Sequence, residues 1–563
     1  MPVPIKKSWK IDACVPLDGE GTLEGYSPVM QQMLYNRGIK DIESANLYLR
    51  GAGSIYDPFQ LPDMEAAVER IWYALDHQQA IAVYGDYDVD GVTATALLVQ
   101  VLQRLGGNVI GYIPNRFDEG YGVNNDALDM LHEQGIQLVV TVDCGIRSPR
   151  EVEHARQMGM DVVISDHHEP KADLPEAVAV VCQKRSTSTY PERNLAGVGL
   201  AFKIAEGLLA KRPAEGVILE DWLDLVAVGT VADVVPLTGE NRSLVRAGLK
   251  KIRLGKRQGL LSLANVAGLT IQKISARDIG FGLGPRLNAA GRLESALAAF
   301  DLLVSSDISV LGMLAQKLDD QNRDRQSMTQ RMQVEAEKLA RASEKDSLLF
   351  AVDPGFNMGV VGLVAARLTD AYYRPAIVGS RGEEFTRCSC RSIPEFNITH
   401  ALDECTDLLE RHGGHAMAAG FTVRNDRLDE LSGCLHAIAQ RELGERDLRP
   451  TLRADMEIPL KDLKPVLLKE LDMLEPTGLG NPEAVFVSRA LRVKYPKKIG
   501  KESQHLRMSV TDGHITYDAV AFRQGQWADQ MPEKIDILYV FETNSYQGRE
   551  SLQLNVRDIR PSD

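Results

Sequence analysis

Between positions 81 and 92 the chain reads Ile-Ala-Val-Tyr-Gly-Asp-Tyr-Asp-Val-Asp-Gly-Val, and at 164–169 it reads Ile-Ser-Asp-His-His-Glu. In both, a short apolar run suited to a buried strand stops at acids and imidazoles. Asp86, Asp88 and Asp90 stand at alternate positions and repel one another unless a cation sits among them. Hard divalent cations take carboxylate oxygens, and imidazole draws the choice toward Mn²⁺. Two further runs end alike: Gln137-Leu-Val-Val-Thr-Val before Asp143-Cys144-Gly145, and Leu225-Val-Ala-Val-Gly-Thr-Val-Ala before Asp233. A single aspartate after an apolar run is ordinarily a turn residue or a helix cap. Four acidic strand ends in one half of the chain, one with paired histidines, predict a shared metal centre at the carboxyl edge of a parallel sheet, where such sheets bind ligands.

The elements that must carry these residues follow from periodicity. Residues 1–80 read as a helical N-terminal segment. Apolar runs at 81–84, 108–113, 137–142, 161–165 and 178–182 alternate with helical stretches, which is βαβ patterning and hence a parallel sheet. Residues 241–305 read as helical, closing a first domain at 81–305. Leu311, Leu314, Leu318, Met328, Met332 and Leu339 recur at helical spacing around the polar run Asp319-Asp-Gln-Asn-Arg-Asp-Arg325. A helix polar all round often bridges domains, so 306–344 is expected to be a connecting helix. A second α/β domain is expected at 345–445. Five short apolar runs at 485–488, 506–510, 516–522, 535–541 and 552–556 make 450–563 a small β domain. Their number, with a late Asn544-Ser-Tyr-Gln-Gly548 turn, fits an OB-type barrel.

Composition bounds the function. At 563 residues the chain is too long for one core. No apolar run reaches the roughly 18 residues of a membrane span, and the start Met-Pro-Val-Pro-Ile-Lys-Lys lacks a signal-peptide core. Seven cysteines, an odd number without framework spacing, fit the reducing cytoplasm; Cys388 and Cys390 read as interior residues. The net charge of −14 argues against a general nucleic-acid coat. Any DNA path must be a local basic groove, with strong salt sensitivity.

Gly85-Asp-Tyr-Asp-Val-Asp-Gly91, Val142-Asp-Cys-Gly145, Ser165-Asp-His-His168 and Gly229-Thr-Val-Ala-Asp-Val234 resemble the four motifs of the DHH phosphoesterase superfamily. Further segments narrow this: 113–122, Leu195-Ala-Gly-Val-Gly199, Pro285-Arg-Leu-Asn-Ala-Ala-Gly-Arg292, Gly413-Gly-His-Ala-Met-Ala-Ala-Gly420 and 547–554 resemble the bacterial RecJ single-strand-specific exonucleases. The resemblance implies a DHH domain, a connecting helix, a DHH-associated α/β domain and an OB-type nucleic-acid-binding domain. It implies two Mn²⁺ (or Mg²⁺) ions held by Asp88, Asp90, Asp143, His167 and Asp233, with Asp143 as the candidate bridge. Asp86 is either a ligand or an anchor behind the ligands. His168 is expected to face the scissile phosphate, and Asp166 to orient a histidine. Guanidinium forks match phosphate oxygens, which singles out Arg116, Arg286, Arg292 and Arg391, with Asn288, Ser389 and His415 beside them in the family-like segments. The resemblance places Ser389, Arg391 and the Arg286–Arg292 segment around a terminal-phosphate pocket. Gly413-Gly414-His415 reads as a flexible turn, and Phe117 and Tyr121 either stack bases or fill core.

The implied activity is 5′-to-3′ hydrolysis of single-stranded DNA to mononucleotides in recombination and repair. Its partners would be single-stranded DNA, a single-strand-binding protein and a helicase, with no membrane. Two other readings compete: a DHH phosphodiesterase for short oligonucleotides or cyclic dinucleotides, and a non-catalytic strand-binding scaffold. The first has no use for an added β domain, and the second no use for a full set of motif carboxylates. Three departures from the family pattern stand out. Tyr84 replaces a histidine found in some small-molecule members, Cys182-Gln183 replaces a common Asn-Pro, and Phe356-Asn357 replaces a common Trp-His.

Overall fold

The computed structural model describes residues 6–16, 23–50, 55–115, 119, 122–341, 347–546 and 549–562. The chain forms two compact units, one of Ile11–Asp319 with Arg453–Asp563, the other of Met1–Lys10 with Asp320–Leu452.

In the larger unit, helices α1 (Pro28–Asn36), α2 (Ile42–Arg50) and α3 (Met64–Asp76) precede a five-stranded sheet. Its strands are β1 (Ala80–Gly85), β2 (Asn108–Tyr112), β3 (Leu138–Val142), β4 (Asp161–Ser165) and β5 (Ala179–Val181), in the order β2-β1-β3-β4-β5, all parallel. Strand β1 is buried on both faces: Ile81 and Val83 enter one core, Ala82 and Tyr84 another. That double burial explains the unbroken apolar runs. Register positions the chemistry. Gly85 pairs with Val142, Val142 with Ser165, and Ser165 with Val181, so four strands end in one row. Asp86, Asp143 and Asp166 leave the sheet at that edge.

Helix α4 (Val89–Arg104) follows β1 at once, and α5 (Gly197–Lys211) and α6 (Leu223–Ala232) pack against it. The α6 segment corrects the reading of 225–232 as a strand: Asp233 caps a helix. A helix apolar all round and buried carries no 3.6-residue period, so its sequence imitates a buried strand. Helix α7 (Gly239–Arg253) packs on α6. Then come α8 (Gly284–Leu293) and the 34-residue α9 (Ile308–Arg341), the connecting helix, which crosses from one unit into the other.

The smaller unit holds a five-stranded sheet of β6 (Leu349–Asp353), β7 (Ala376–Arg381), β8 (Phe385–Arg391), β9 (Arg411–His415) and β10 (Ala418–Arg424), in the order β9-β10-β8-β7-β6. Only β6 and β7 run parallel. Helices α10 (Val361–Tyr372), α11 (Ile398–Asp403) and α12 (Leu428–Leu443) complete it. Gly413 and Gly414 lie within β9, which corrects their reading as a turn. A Cβ on Gly414 would come within 2.4 Å of the Ala418 carbonyl oxygen, so the glycine permits the close approach of β10.

The C-terminal strands β11 (Phe486–Ile499), β12 (His505–Thr511), β13 (Thr516–Ala521), β14 (Lys534–Tyr546) and β15 (Arg549–Pro561) run in the order β11-β12-β13-β15-β14, closed by β14 on β11. This is an OB-type barrel. Its core contains Met30, Met33, Leu34, Ala45 and Leu49 of α1 and α2, so the N-terminal helices belong to the barrel rather than to the parallel sheet. A short strand, Ser8–Ile11, also departs from the all-helical expectation. Arg242 on α7 ties barrel and sheet domain, donating from Nη1 to the carbonyls of Leu474 (2.8 Å) and Pro476 (3.1 Å).

Candidate metal centre and nucleic-acid interface

Asp88 is the N-cap of α4, its Oδ1 accepting from the amides of Asp90 (2.9 Å) and Gly91 (3.1 Å). The three alternating aspartates are therefore not spaced along a strand. Asp86 follows the strand end, Asp88 caps the helix and Asp90 lies in its first turn. This sharp reversal needs Gly91, where a Cβ would come within 2.5 Å of the Asp86 carbonyl oxygen. Asp90 is buried, and the first amides of α5 fix it: Gly197 donates to Oδ2 (2.6 Å) and Val198 to Oδ1 (2.8 Å). A helix N-terminus favours an anion there. Gly197 has a second duty, because a Cβ at that position would meet the Asp143 Cβ at 2.6 Å. The Leu195–Gly199 segment is thus the clamp that seats two acids together.

Asp143 is buried and left-handed, with φ +63°. Its Oδ1 accepts no hydrogen bond, although His167 Nε2 is 3.0 Å away. The same Nε2 lies 3.7 Å from Asp233 Oδ2 and 3.9 Å from Asp90 Oδ2. Burial and the neighbouring His168 push the His167 pKa down to about 3, so the ring is neutral and presents a lone pair. Burial and mutual repulsion push Asp90 up to about 7 and Asp233 up to about 9, and hold Asp143 well above the usual carboxylate range. Buried acids that repel, orphaned oxygens at Asp143 and Asp233 and a neutral imidazole fit divalent cations. Asp86, Asp88 and Asp143 can converge on one ion; Asp90, His167 and Asp233 on another; and Asp143, His167 and His168 form a third overlapping group. Asp143 and His167 each occur in two of these sets.

His168 differs from its neighbour. Its Nδ1 and its backbone amide both meet Asp166 Oδ1, at 2.8 and 3.0 Å, while Ile146 N–H holds Asp166 Oδ2 at 2.9 Å. Burial works against the charged ring, but the Asp166 hydrogen bond and charge outweigh it and raise the His168 pKa. Asp166 is buried, yet these donors and the His168 charge keep its pKa below the ordinary value.

The remaining sequence-derived residues divide. Arg116 and Tyr121, with Phe117, lie outside the described residues. Asn288 accepts from the Val89 amide at 3.2 Å, and a Cβ on Gly291 would come within 2.6 Å of the Tyr87 carbonyl oxygen, so α8 buttresses the Asp86–Asp90 turn. Arg286 is committed to Asp319 (2.8 Å) and the Gly282 carbonyl (2.8 Å); Arg292 lies near the end of α8. In the smaller unit, Arg391 Nη1 bonds the Cys390 carbonyl (2.8 Å) and Ser389 Oγ (3.4 Å), facing Gly362 at the start of α10. His415 ends β9 and is exposed.

The departures have structural roles. Gln183 is buried and donates to the Leu195 carbonyl at 2.9 Å, bracing the clamp on Asp90. Tyr84 OH turns away from the metal groups, donating to the Gly122 carbonyl (3.1 Å) and accepting from Asn124 (3.1 Å). Asn357 bonds the Gly359 amide (2.7 Å) ahead of α10, and Phe356 is buried.

A basic face went unread in the sequence. On β11 and β12 the register pairs Lys494 with Ser509 and Lys497 with Arg507. Alternation puts Arg492, Lys494 and Lys497, with His505, Arg507 and Ser509, on the outside of the barrel, beside Val520 of the next strand and the exposed Phe522 just past its end. Among the described residues Arg492, Lys494 and Lys497 have no ion-pair partner; Arg507 approaches Asp518 at 3.4 Å. Tyr495 stands in the β11 bulge between Lys494 and Lys497, at φ +54° and 83% exposed. OB barrels bind oligonucleotides on the face of their second and third strands, here β12 and β13, and the cations of β11 lie beside that face on the first strand. The sequence signal was present in Arg492-Val-Lys-Tyr-Pro-Lys-Lys498, but its sidedness depends on the bulge.

Strand-end carboxylates gathered on a parallel sheet, a second α/β domain and a closed barrel define a metal-dependent DHH phosphoesterase. The DHH family N-terminal domain matches residues 80–230, the DHHA1 domain 345–441 and the RecJ OB domain 454–558. The chain is 39% identical over 544 residues to the single-stranded-DNA-specific exonuclease RecJ of Bacillus subtilis (strain 168), covering 95% of this chain and 68% of that protein. It resembles the crystal structure of RecJ in complex with Mn²⁺ from Thermus thermophilus, with TM-score 0.84 and 28% identity over 99% of this chain and 80% of that one. The corresponding Mg²⁺ complex gives TM-score 0.78 and 27% identity over 99% and 79%. The chain belongs to the RecJ family of single-stranded-DNA-specific exonucleases.

Proposed function

We propose that this protein degrades single-stranded DNA from its 5′ end to mononucleotides, in the cytoplasm, and serves recombination and repair. The observation that carries the reading is the overlap of carboxylate and imidazole groups around Asp143 and His167. Asp88, Asp90, Asp143, His167 and Asp233 would hold two divalent ions, Mn²⁺ or Mg²⁺, with Asp86 beside them. When bound, such ions lower the pKa of a coordinated water and offset the charge that grows on the phosphoryl oxygens. Asp166 fixes the ring of His168, which donates to the scissile phosphate. Gly197 and Val198 donate to the two Asp90 oxygens, opposing the rise of its pKa and aiming the carboxylate. Tyr495 and the cations of β11 and β12 receive the strand by stacking and phosphate contact. Ser389 and Arg391 prefer a terminal monoester to an internal diester, because the monoester carries more charge. A single-strand-binding protein and a helicase are the partners that would present such ends.

Chain-length dependence tests the reading. With Mn²⁺, long single strands should be cleaved to mononucleotides faster per end than dinucleotides, duplex should resist, and chelator should abolish turnover. A preference for di- or cyclic dinucleotides would replace this reading with a small-substrate phosphodiesterase. Strand binding with no turnover would replace it with a scaffold.

A further inference from the structure

We propose that Cys405 and Cys434 form a redox modification site: a dithiol that closes to a disulfide when the protein meets a peroxide. Their sulfurs lie 2.7 Å apart in the smaller unit, closer than two unbonded sulfurs rest. Cys405 is buried directly ahead of the short turn Thr406–Leu408; Cys434 sits half-buried on α12. Both pack in the core formed by Ile398, Leu402, Leu431 and Leu435, so each cysteine is held by a well-packed segment. Among the seven cysteines this is the sulfur pair in bonding reach among the described residues. Cys144 and Cys182 are buried, their sulfurs bonded to the Tyr84 and His168 carbonyls, and Cys14 is exposed. In a reducing compartment, disulfides that do form are usually transient or sensing.

Exposure orders the chemistry. Burial and the adjoining Cys434 push the Cys405 thiol up to about 12, so it stays protonated. The half-buried Cys434 meets the oxidant first. Its thiolate attacks hydrogen peroxide: an S–O bond forms, the O–O bond breaks, and hydroxide leaves, giving a sulfenic acid. The Cys405 sulfur then attacks the Cys434 sulfur. The S–S bond forms, the S–O bond breaks, and the Cys405 proton departs with the leaving oxygen as water. Two thiols and one peroxide give one disulfide and two waters, and an external dithiol reverses it. The cross-link encloses the whole β9–β10 hairpin in a covalent loop.

The full-length protein with its metal should be treated with excess hydrogen peroxide, quenched, denatured and alkylated, with peptides read by mass spectrometry. The expected result is a linked Cys405–Cys434 peptide pair, lighter by two hydrogens and unlabelled at both cysteines, with label restored by dithiothreitol. With Cys405→Ser, Cys434 should instead trap dimedone as a sulfenic acid; with Cys434→Ser, Cys405 should stay a thiol. Full alkylation of both cysteines in peroxide-treated protein whose exposed Cys14 has reacted would overturn the proposal. So would linkage of Cys434 to Cys14, or irreversible sulfonic acid at Cys434 in place of the pair.

Discussion

The centre depends on how closely a few atoms approach. Asp90 and Asp143 share it because Gly197 lets α5 start against both, and the first α5 amides stabilise one carboxylate while its missing side chain admits the other. Gly197→Ala should therefore leave the fold intact but lower Mn²⁺ affinity by about 10–100-fold, the range for losses around a metal site. Isothermal titration with Mn²⁺ checks this, and unchanged affinity would show that the clamp does not set the ligand geometry. Arg391 makes a different claim. Arg391→Ala should slow cleavage of 5′-phosphorylated strands by about tenfold or more while affecting 5′-hydroxyl strands much less, since one charge-assisted contact is worth about 1.5–3 kcal/mol. Parallel assays on the two substrates decide it; equal losses would make Arg391 a general backbone contact. At this scale the sequence was informative. Asp86, Asp88, Asp90, Asp143, His167 and Asp233 stand out because acidic run-ends recur in one half of the chain, and the fold brings them into overlapping groups within metal-binding reach. The supporting contacts of Gln183 on Leu195 and Asn288 on Val89 were not legible, since amides that brace loops have no sequence period.

At the scale of elements, legibility followed periodicity. The five parallel strands and α9 were visible because burial on two faces and apolar residues at helical spacing each leave a pattern. Asp233 lies with Asp90 and His167, but at the end of a helix where its sequence reads as a strand, because α6 is buried on every side. Helices α1 and α2 could not be placed from sequence: what they pack against lies more than 400 residues away. That placement changes an experiment. Removing 450–563 would strip the barrel core from α1 and α2 and confound folding with binding. Substitution on the barrel face is cleaner. Lys494→Ala with Lys497→Ala should weaken strand binding at low salt and reduce the slope of log affinity against log salt by roughly 1.4, about 0.7 per lost phosphate contact. Fluorescence anisotropy across a salt series reads this directly; an unchanged slope would remove β11 from the strand path.

For the whole molecule, charge and chemistry are partitioned. A chain of net charge −14 offers a polyanion little general attraction, and among the described residues three cations on the outside of β11 have no acid opposite them. This favours a single strand led along one face over duplex bound broadly. In the proposed mechanism the metal groups at one rim of the parallel sheet do the hydrolysis and the barrel holds the strand. Asp143→Ala separates the two, because it removes a group common to two of the three candidate ligand sets and leaves the barrel untouched. Cleavage of a 5′-phosphorylated single strand by this variant in saturating Mn²⁺, with strand affinity measured in parallel, is the most direct test. A rate at least about a thousandfold down, roughly 4 kcal/mol of transition-state stabilisation, with strand affinity unchanged is the predicted result; a variant keeping a tenth of the parent rate would contradict it.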